Sequence, residues 1–154
     1  MSIRLALVAP FLAILSGSSF AIDWPQFRGQ NGAGVADQNV YETAWSPSSN
    51  IVWRSELAGQ GASSPIVLGD RIFVTCYRGV DRQSTDTKNL ERLLVCFNRA
   101  DGKQLWEKSV KGKDNEDPFR GFIQGHGYST STPVTDGERV FVFFGKSGVF
   151  AFDL

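Results

Sequence analysis

The sequence predicts an all-β fold, and three observations support the prediction: an internal repeat, alternating apolar runs and short glycine-containing turns. Residues 62–75 align with residues 130–143, 68 positions later, and six of the fourteen aligned residues are identical. In both copies a Ser-x-Pro segment leads through a turn, at Gly69 or Gly137, into a run of alternating apolar residues. This alternation is typical of half-buried strands rather than helices.

The repeated unit is a set of short strands that cannot bury both of its faces alone. Repeats of roughly 40–50 residues with this pattern indicate blades of a β-propeller, which stack on their neighbours. We therefore expect a partial β-propeller that contains one complete four-stranded antiparallel blade. Its predicted strands are residues 64–68, 71–77, 92–98 and 105–110. A second blade is predicted to begin at Ser131 and to pair residues 139–144 with 149–153 across the turn at 145–148.

Residues 51–57 resemble residues 104–110, and each segment has a tryptophan, Trp53 or Trp106, as its third residue. In a four-stranded blade both segments would be the outermost strand. The predicted strand at 51–57 has no blade of its own, and in a closed propeller an early strand of this kind completes the final blade. We therefore expect residues 51–154 to be incomplete propeller repeats, parts of three blades that open a longer protein. Their exposed strand edges would favour aggregation.

Residues 1–21 have the pattern of an export signal, with Arg4 before an apolar run and a small-x-small cleavage site at Ala21. The apolar run is too short to span a bilayer. Ser18 occupies the position where a lipoprotein signal would have cysteine. We expect cleavage after Ala21, a periplasmic or secreted location and no membrane insertion thereafter.

Residues 22–50 are rich in Gly, Asn, Ser and Pro with isolated aromatic residues. We expect an extended lead-in whose aromatic side chains pack against a core. These aromatic residues are Trp24, Phe27, Tyr41 and Trp45.

Charge and cysteine content restrict the possible partners. The chain has 16 basic and 16 acidic residues and a formal net charge of zero, so nucleic acid is not an expected partner. Cys76 and Cys96 fall in neighbouring predicted strands. An oxidising compartment permits a disulfide between them, but cysteine is also a common buried apolar residue, so both alternatives stay open. Because His126 is the only histidine, no metal site is predicted.

The predicted loops differ in length on the two faces of the blades. Minimal turns at Gly69, Gly102 and Gly137 share one face, whereas residues 78–91 and 111–128 form long loops on the other. Long loops on a rigid scaffold commonly carry function. We therefore expect a protein or small-molecule ligand to bind the long-loop face. The candidate contact residues are Arg120, His126 and Tyr128, and no catalytic residue is predicted, because no nucleophile or second base accompanies the histidine.

The segment from Cys96 to Trp106 resembles the Ala-x-Asp-x-x-Thr-Gly-Lys-x-x-Trp motif of pyrroloquinoline-quinone-like (PQQ-like) propeller repeats. It departs from the motif at Cys96, Asn98 and Asp101, but asparagine and aspartate can still form such a turn. The resemblance implies that Trp53 and Trp106 are structural residues that pack between blades. It also implies that side-chain hydrogen bonds hold the turn at Gly102.

Residues 23–32, 50–53 and 126–128 resemble a group of exported bacterial PQQ-like propeller proteins. Such proteins are often likened to the propeller subunit of the outer-membrane barrel assembly machinery, which is a non-enzymatic scaffold. That subunit is a lipoprotein, and Ser18 departs from it. The resemblance implies a non-catalytic binding or protein-interaction scaffold without a cofactor.

The alternative interpretation is the N-terminal part of a quinone-dependent dehydrogenase whose active residues lie beyond Leu154. Dehydrogenases of this fold hold PQQ between a tryptophan and a disulfide of adjacent cysteines, beside a calcium ion and a catalytic aspartate. Cys76 and Cys96 are not adjacent, and residues 114–117 lack the spacing and glycine of a calcium loop and predict a solvated turn. A third interpretation, a nonfunctional remnant, predicts an insoluble or protease-sensitive product.

Overall fold

A computed structural model describes residues 23–36, 42–80 and 86–154, and the predicted export signal lies outside the described residues. Within them, seven strands form two antiparallel sheets, and helical structure is confined to short turns. The strands are β1 (Ile66–Leu68), β2 (Arg71–Arg78), β3 (Glu91–Asn98), β4 (Gln104–Lys111), β5 (Val134–Thr135), β6 (Arg139–Phe143) and β7 (Val149–Asp153). The helical turns are a five-residue α-helix, α1 (Phe122–His126), and two 3-10 turns, Gln30–Gly32 and Gly145–Ser147. The all-β prediction is confirmed.

The first sheet has the strand order β1-β2-β3-β4 and the second has β5-β6-β7. Six of the seven strands agree with the predicted ones to within two residues at each end, while β5 begins three residues after Ser131. Residues 51–57 differ, because they form no strand in the described part of the chain. A strand needs a hydrogen-bonded neighbour, and the predicted neighbour of this segment belonged to a different blade. The predicted pairing of this segment with the final blade of a closed propeller therefore stays a prediction.

Strand register determines which side chains share a face of the first sheet. Phe73 lies opposite Cys96, and Cys96 lies opposite Trp106, so these three side chains share one face. Cys76 lies opposite Leu93 and, three residues from Phe73, points to the other face. Both cysteines are buried and free. The possible disulfide between Cys76 and Cys96 is therefore not formed, because the two thiols lie on opposite faces of the sheet.

The main core lies between the two sheets. From the first sheet, Phe73 contributes to it beside Trp106, with 5.7 Å between ring centroids. From the second sheet, Phe144 packs beside Phe150, with 5.9 Å between centroids. The buried members of this inter-sheet core are Ile66, Phe73, Leu94, Cys96, Val140, Val142 and Phe144. Burial of their apolar surface holds the two sheets together.

Equivalent positions of the two repeat copies also contact each other directly. The Ser64 backbone N–H donates a hydrogen bond to Thr132 Oγ1 at 3.1 Å, and these two residues are 68 positions apart. Thr75 Oγ1 donates to the Ser131 carbonyl at 3.0 Å. The segments that lead into the two sheets therefore lie side by side, as the repeat predicts for stacked units.

The lead-in contacts both sheets, and the Thr135 N–H of β5 donates to the Pro25 carbonyl at 3.0 Å. Trp24 and Val67 exchange backbone hydrogen bonds of 2.8 and 2.9 Å, which extends the sheet beyond β1. Phe27 is 61% exposed and Trp45 is 68% exposed, so the prediction that they pack against a core is wrong, while Tyr41 lies outside the described residues. No helix in the described ranges is long and apolar enough to cross a membrane.

Candidate ligand-binding face

The long loop, residues 112–133, connects the two sheets and has a small core of its own. Tyr128 is 6% exposed, and its ring contacts Tyr77 edge-on at 5.4 Å and Phe119 at 6.0 Å between centroids. Its hydroxyl donates a hydrogen bond to the Asp117 carbonyl at 2.6 Å. Burial raises the pKa of Tyr128, and the negative charge of Glu116 adds to the effect. Tyr128 therefore anchors the loop as a neutral phenol.

A buried ion pair fixes the same loop to the first sheet. Arg92 of β3 donates from Nη1 and Nη2 to the two carboxylate oxygens of Glu116 at 2.7 and 2.8 Å, and each side chain is only 3% exposed. Arg92 Nε also donates to the Tyr128 carbonyl at 2.9 Å. The planar guanidinium thus satisfies a carboxylate and a loop carbonyl at once.

The electrostatics of Glu116 follow from this environment. Burial opposes ionisation of Glu116. This effect is outweighed by hydrogen bonds from Arg92 and from the Lys113 backbone N–H, together with the charges of Arg92 and Lys146, so the Glu116 pKa is lowered. Glu116 therefore stays ionised at neutral pH. The prediction of a solvated turn holds for residues 114, 115 and 117, which are exposed, and is wrong for Glu116.

The turn between β6 and β7 ties the loop to the second sheet. Lys146 Nζ donates to the Asn115 carbonyl and to Asp117 Oδ1, both at 2.8 Å. Ser147 Oγ accepts from Arg92 Nη1 at 3.2 Å and donates to the Lys111 carbonyl at 3.3 Å. The long loop is therefore held by side chains from both sheets.

The three predicted contact residues do not converge on one site. Arg120 is exposed, His126 is exposed at the end of α1, and Tyr128 is buried. His126 lines a cavity of about 110 Å³ beside Tyr77, whereas Tyr128 lines a different cavity of about 170 Å³. Arg120 lines neither of these cavities. Only His126 and Arg120 are therefore available at the surface.

The sequence did not point to the most exposed apolar side chain of the loop. Phe122, the first residue of α1, is 74% exposed, and its ring contacts the His126 ring with 4.4 Å between centroids. The four-residue spacing places both rings on one side of the helical turn. The surface formed by Phe122 and His126, which we call the aromatic knob, projects from a loop that buried contacts hold in place.

The residues predicted to be structural lie at the first sheet. Trp53 Nε1 donates to the Arg99 carbonyl at 2.8 Å, and a Cβ on Gly102 would lie 2.4 Å from the Trp53 ring. Asn98 Oδ1 accepts from the Ala100 N–H at 2.8 Å and the Asp101 N–H at 3.3 Å, so asparagine does form the turn. Trp106 lies in the inter-sheet core beside Phe73.

The described residues do not themselves form the quinone and calcium site of a dehydrogenase. Cys76 and Cys96 lie on opposite faces of a sheet and cannot form the disulfide of adjacent cysteines. Burial raises the pKa of each thiol to about 11. Within the described ranges no three His, Cys, Asp or Glu side chains are grouped to bind a metal ion. No catalytic step can therefore be derived from these residues.

Two sheets built from one repeated strand unit define a β-repeat protein, and comparison with known families specifies which kind. The family model described as outer membrane protein assembly factor BamB, a PQQ-like repeat family, matches residues 35–154. The chain belongs to this family. A search of curated proteins found no match. The predicted resemblance to PQQ-like repeat proteins is thereby confirmed.

Proposed function

We propose that the protein is an exported PQQ-like propeller protein that acts as a non-catalytic interaction scaffold and binds a protein partner through the long-loop face. The observation that carries the proposal is the aromatic knob, because an exposed Phe122 stands on a loop fixed by the buried Arg92–Glu116 pair. Aromatic side chains dominate the binding energy of many protein interfaces. A pre-ordered loop also loses little conformational entropy on binding.

Cavity size in the described part of this face supports a protein partner over a small molecule. The two cavities beside the long loop have volumes of about 170 and 110 Å³. Typical small-molecule sites have volumes of roughly 300–1,000 Å³. A partner that packs over the aromatic knob would bury Phe122 without needing to enter either cavity.

The family and the amino terminus support the proposed location and type of partner. The matching family is described as an outer membrane protein assembly factor, which supports a partner in the assembly of outer-membrane proteins. Residues 1–21 have the pattern of an export signal, which supports a periplasmic or secreted location. The balanced net charge of the chain does not favour nucleic acid as a partner.

Site-specific photo-crosslinking in the producing cells tests the proposal. A benzophenone amino acid at position 122 is expected to form discrete protein adducts. The matched control is position 70, because Asp70 is also exposed, with 82% of its side chain accessible, and lies at a minimal turn. Adducts at 122 but not at 70 support the proposal, whereas no adduct at 122, or equal adducts at both positions, contradicts it.

Phe122→Ala provides a second check on the same surface. Because Phe122 is 74% exposed, the substitution is expected to change the free energy of unfolding by less than about 0.5 kcal/mol. Recovery of the crosslinked partner by the purified variant is nevertheless expected to fall at least about tenfold, the effect of losing an interface anchor. Unchanged recovery would contradict a role for the aromatic knob.

A further inference from the structure

The lead-in contains the only Asn-Gly pair of the sequence, Asn31–Gly32. An asparagine in this context can lose its amide spontaneously, because the backbone nitrogen of the next residue attacks the side-chain carbonyl carbon. Glycine favours the attack, since it has no Cβ to crowd the nitrogen and gives the backbone the most conformational freedom. The other asparagines all precede residues with a side chain. They are Asn39, Asn50, Asn89, Asn98 and Asn115.

The structure leaves the Asn31 side chain accessible to this reaction. Asn31 is exposed in the 3-10 turn Gln30–Gly32, and its side-chain amide has no hydrogen bond to any described residue. A Cβ at Gly32 would meet no atom within 4 Å, so there is room beside the turn for a new ring. The Gly32 N–H is bonded to the Gly29 carbonyl at 3.1 Å, and this bond must open before the nitrogen can attack. Such short turns have poor hydrogen-bond geometry and open locally at low cost.

Two Asp-Gly pairs of the sequence can in principle form the same ring, but hydrogen bonds hold their carboxylates. Asp136 Oδ1 accepts from the Glu138 and Arg139 backbone N–H groups at 2.9 and 2.7 Å. Asp101 Oδ1 accepts from the Lys103 backbone N–H at 3.0 Å. These bonds lower the pKa of both carboxyl groups, and an ionised carboxylate resists attack by a nitrogen. The asparagine of the lead-in has neither a charge nor such a bond to protect it.

We propose that Asn31 is a site of spontaneous deamidation, which converts the lead-in into a more negatively charged and partly isomerised form. The Gly32 nitrogen forms a bond to Asn31 Cγ, the Cγ–Nδ2 bond breaks, and the amide leaves as ammonia with the proton from the Gly32 nitrogen. Water then opens the cyclic imide at either carbonyl, which gives aspartate or isoaspartate at position 31. Water is the co-reactant, and nothing is oxidised or reduced. The inference goes beyond the proposed function, since it does not involve the aromatic knob.

The modification would change a segment that contacts both sheets. Trp24 exchanges backbone hydrogen bonds with Val67 of β1, and the Pro25 carbonyl accepts from Thr135 of β5. The Trp24 ring packs closely on the turn, because a Cβ at Gly29 would lie 2.5 Å from it. Isoaspartate lengthens the main chain within this turn. The packing of the Trp24 ring is therefore the contact that the modification disturbs first.

Peptide mapping by mass spectrometry tests the proposal on the purified protein. After incubation at mildly alkaline pH, the peptide that contains position 31 is expected to gain the mass difference between a hydroxyl and an amino group. Asn115 is the internal control, because it is also exposed, with a side chain that has no hydrogen bond to described residues, but precedes Glu116. Modification of Asn31 should be at least about tenfold faster than that of Asn115, since glycine leaves the attacking nitrogen accessible. Equal rates at the two positions, or an unmodified Asn31, would overturn the proposal.

Gly32→Ala distinguishes attack by the backbone nitrogen from simple exposure of the asparagine. The added methyl group crowds the nitrogen, so the rate at Asn31 is expected to fall at least about tenfold. Gly34→Ala is the matched control, because Gly34 has a similar positive φ, 70° against 66° at Gly32, but does not follow the asparagine. It should deamidate like the parent. Equal rates in Gly32→Ala and the parent would contradict the proposed chemistry.

The identity of the product provides a check that does not depend on a variant. Fragmentation spectra distinguish isoaspartate from aspartate, and both are expected at position 31, because water can open either carbonyl of the imide. Aspartate alone would indicate direct hydrolysis of the side-chain amide and would refute the ring mechanism.

Discussion

The two sheets share one repeated sequence but bury equivalent residues to different extents. Ile66 is fully buried, whereas the equivalent Val134 is 40% exposed. Thr75 is 1% exposed, and its equivalent, Phe143, is 54% exposed. The first sheet packs this face against the second sheet, while no described residues cover the same face of the second sheet. Burial in such a repeat is therefore determined by the neighbouring unit rather than by the unit's own sequence.

Phe73 and Phe141 occupy the same position in the two repeat copies, and replacing each by alanine tests this comparison. This substitution has the largest expected effect on the free energy of unfolding. Phe73 is fully buried and contacts Trp106, whereas the equivalent Phe141 is only partly buried. Phe73→Ala is expected to lower the free energy of unfolding by about 3–5 kcal/mol, since it leaves a cavity between the sheets. Phe141→Ala is expected to cost about 1–2 kcal/mol, because Phe141 lies on the open face and buries less apolar surface.

Urea denaturation of the two variants, monitored by tryptophan fluorescence, provides the measurement. Leu94→Ala serves as a positive control in the same inter-sheet core. Equal losses for Phe73→Ala and Phe141→Ala would show that the open face of the second sheet is covered in solution. That result would also favour association of chains over an exposed apolar face.

Breaking the Arg92–Glu116 ion pair of the long loop should have the next largest effect on the free energy of unfolding. Glu116→Gln is expected to cost about 3 kcal/mol, because it leaves the buried Arg92 guanidinium without a compensating charge. The control is Asp153→Asn, which breaks an ion pair with Arg139 in the second sheet whose side chains are 92% and 53% exposed. Exposed pairs contribute about 0–1 kcal/mol, so the control should unfold almost like the parent. Similar losses in both variants would mean that the ion pair is not buried in solution.

The pH dependence of stability distinguishes the charge of Glu116 from its packing. Its pKa is lower in the folded protein than in the unfolded chain, so its ionisation stabilises the fold above the ordinary glutamate pKa of about 4.3. This contribution is lost as the pH falls through the lowered folded pKa. The stability difference between the parent and Glu116→Gln should therefore shrink on acidification below about pH 4. A difference that is constant with pH would exclude an electrostatic origin.

The sequence was sufficient to predict the strands because their signals are local. Alternation, the turns at Gly69 and Gly137 and the repeat itself predicted six strands to within two residues. The failures all concern contacts between distant residues. Arg92 and Glu116 are 24 positions apart, and no local pattern shows that the carboxylate folds back under the loop. Likewise, the separation of the two cysteines depends on strand register, which spacing alone does not determine.

The candidate site was predicted less completely than the fold for the same reason. The long-loop face follows from loop lengths, but exposure within it depends on how the loop folds over its own core. Tyr128 fills that core, so a residue predicted to contact a ligand is a loop anchor. Phe122, with no special sequence signal, is left at the surface because α1 turns it outward. The only available hint was a large apolar residue in a glycine-containing loop, directly after Gly121.

The turn glycines give the smallest expected difference between the two sheets. Gly102 and Gly137 both have positive φ, of 70° and 96°, so alanine is strained at either position. A Cβ at Gly137 would meet no atom within 4 Å, and Gly137→Ala is expected to cost about 1–2 kcal/mol. At Gly102 the Cβ would lie 2.4 Å from the Trp53 ring and must displace it, so Gly102→Ala should cost about 3 kcal/mol. Trp53 fluorescence should shift only in Gly102→Ala, and equal stabilities with unchanged fluorescence would show that residues 51–57 are not held at this turn.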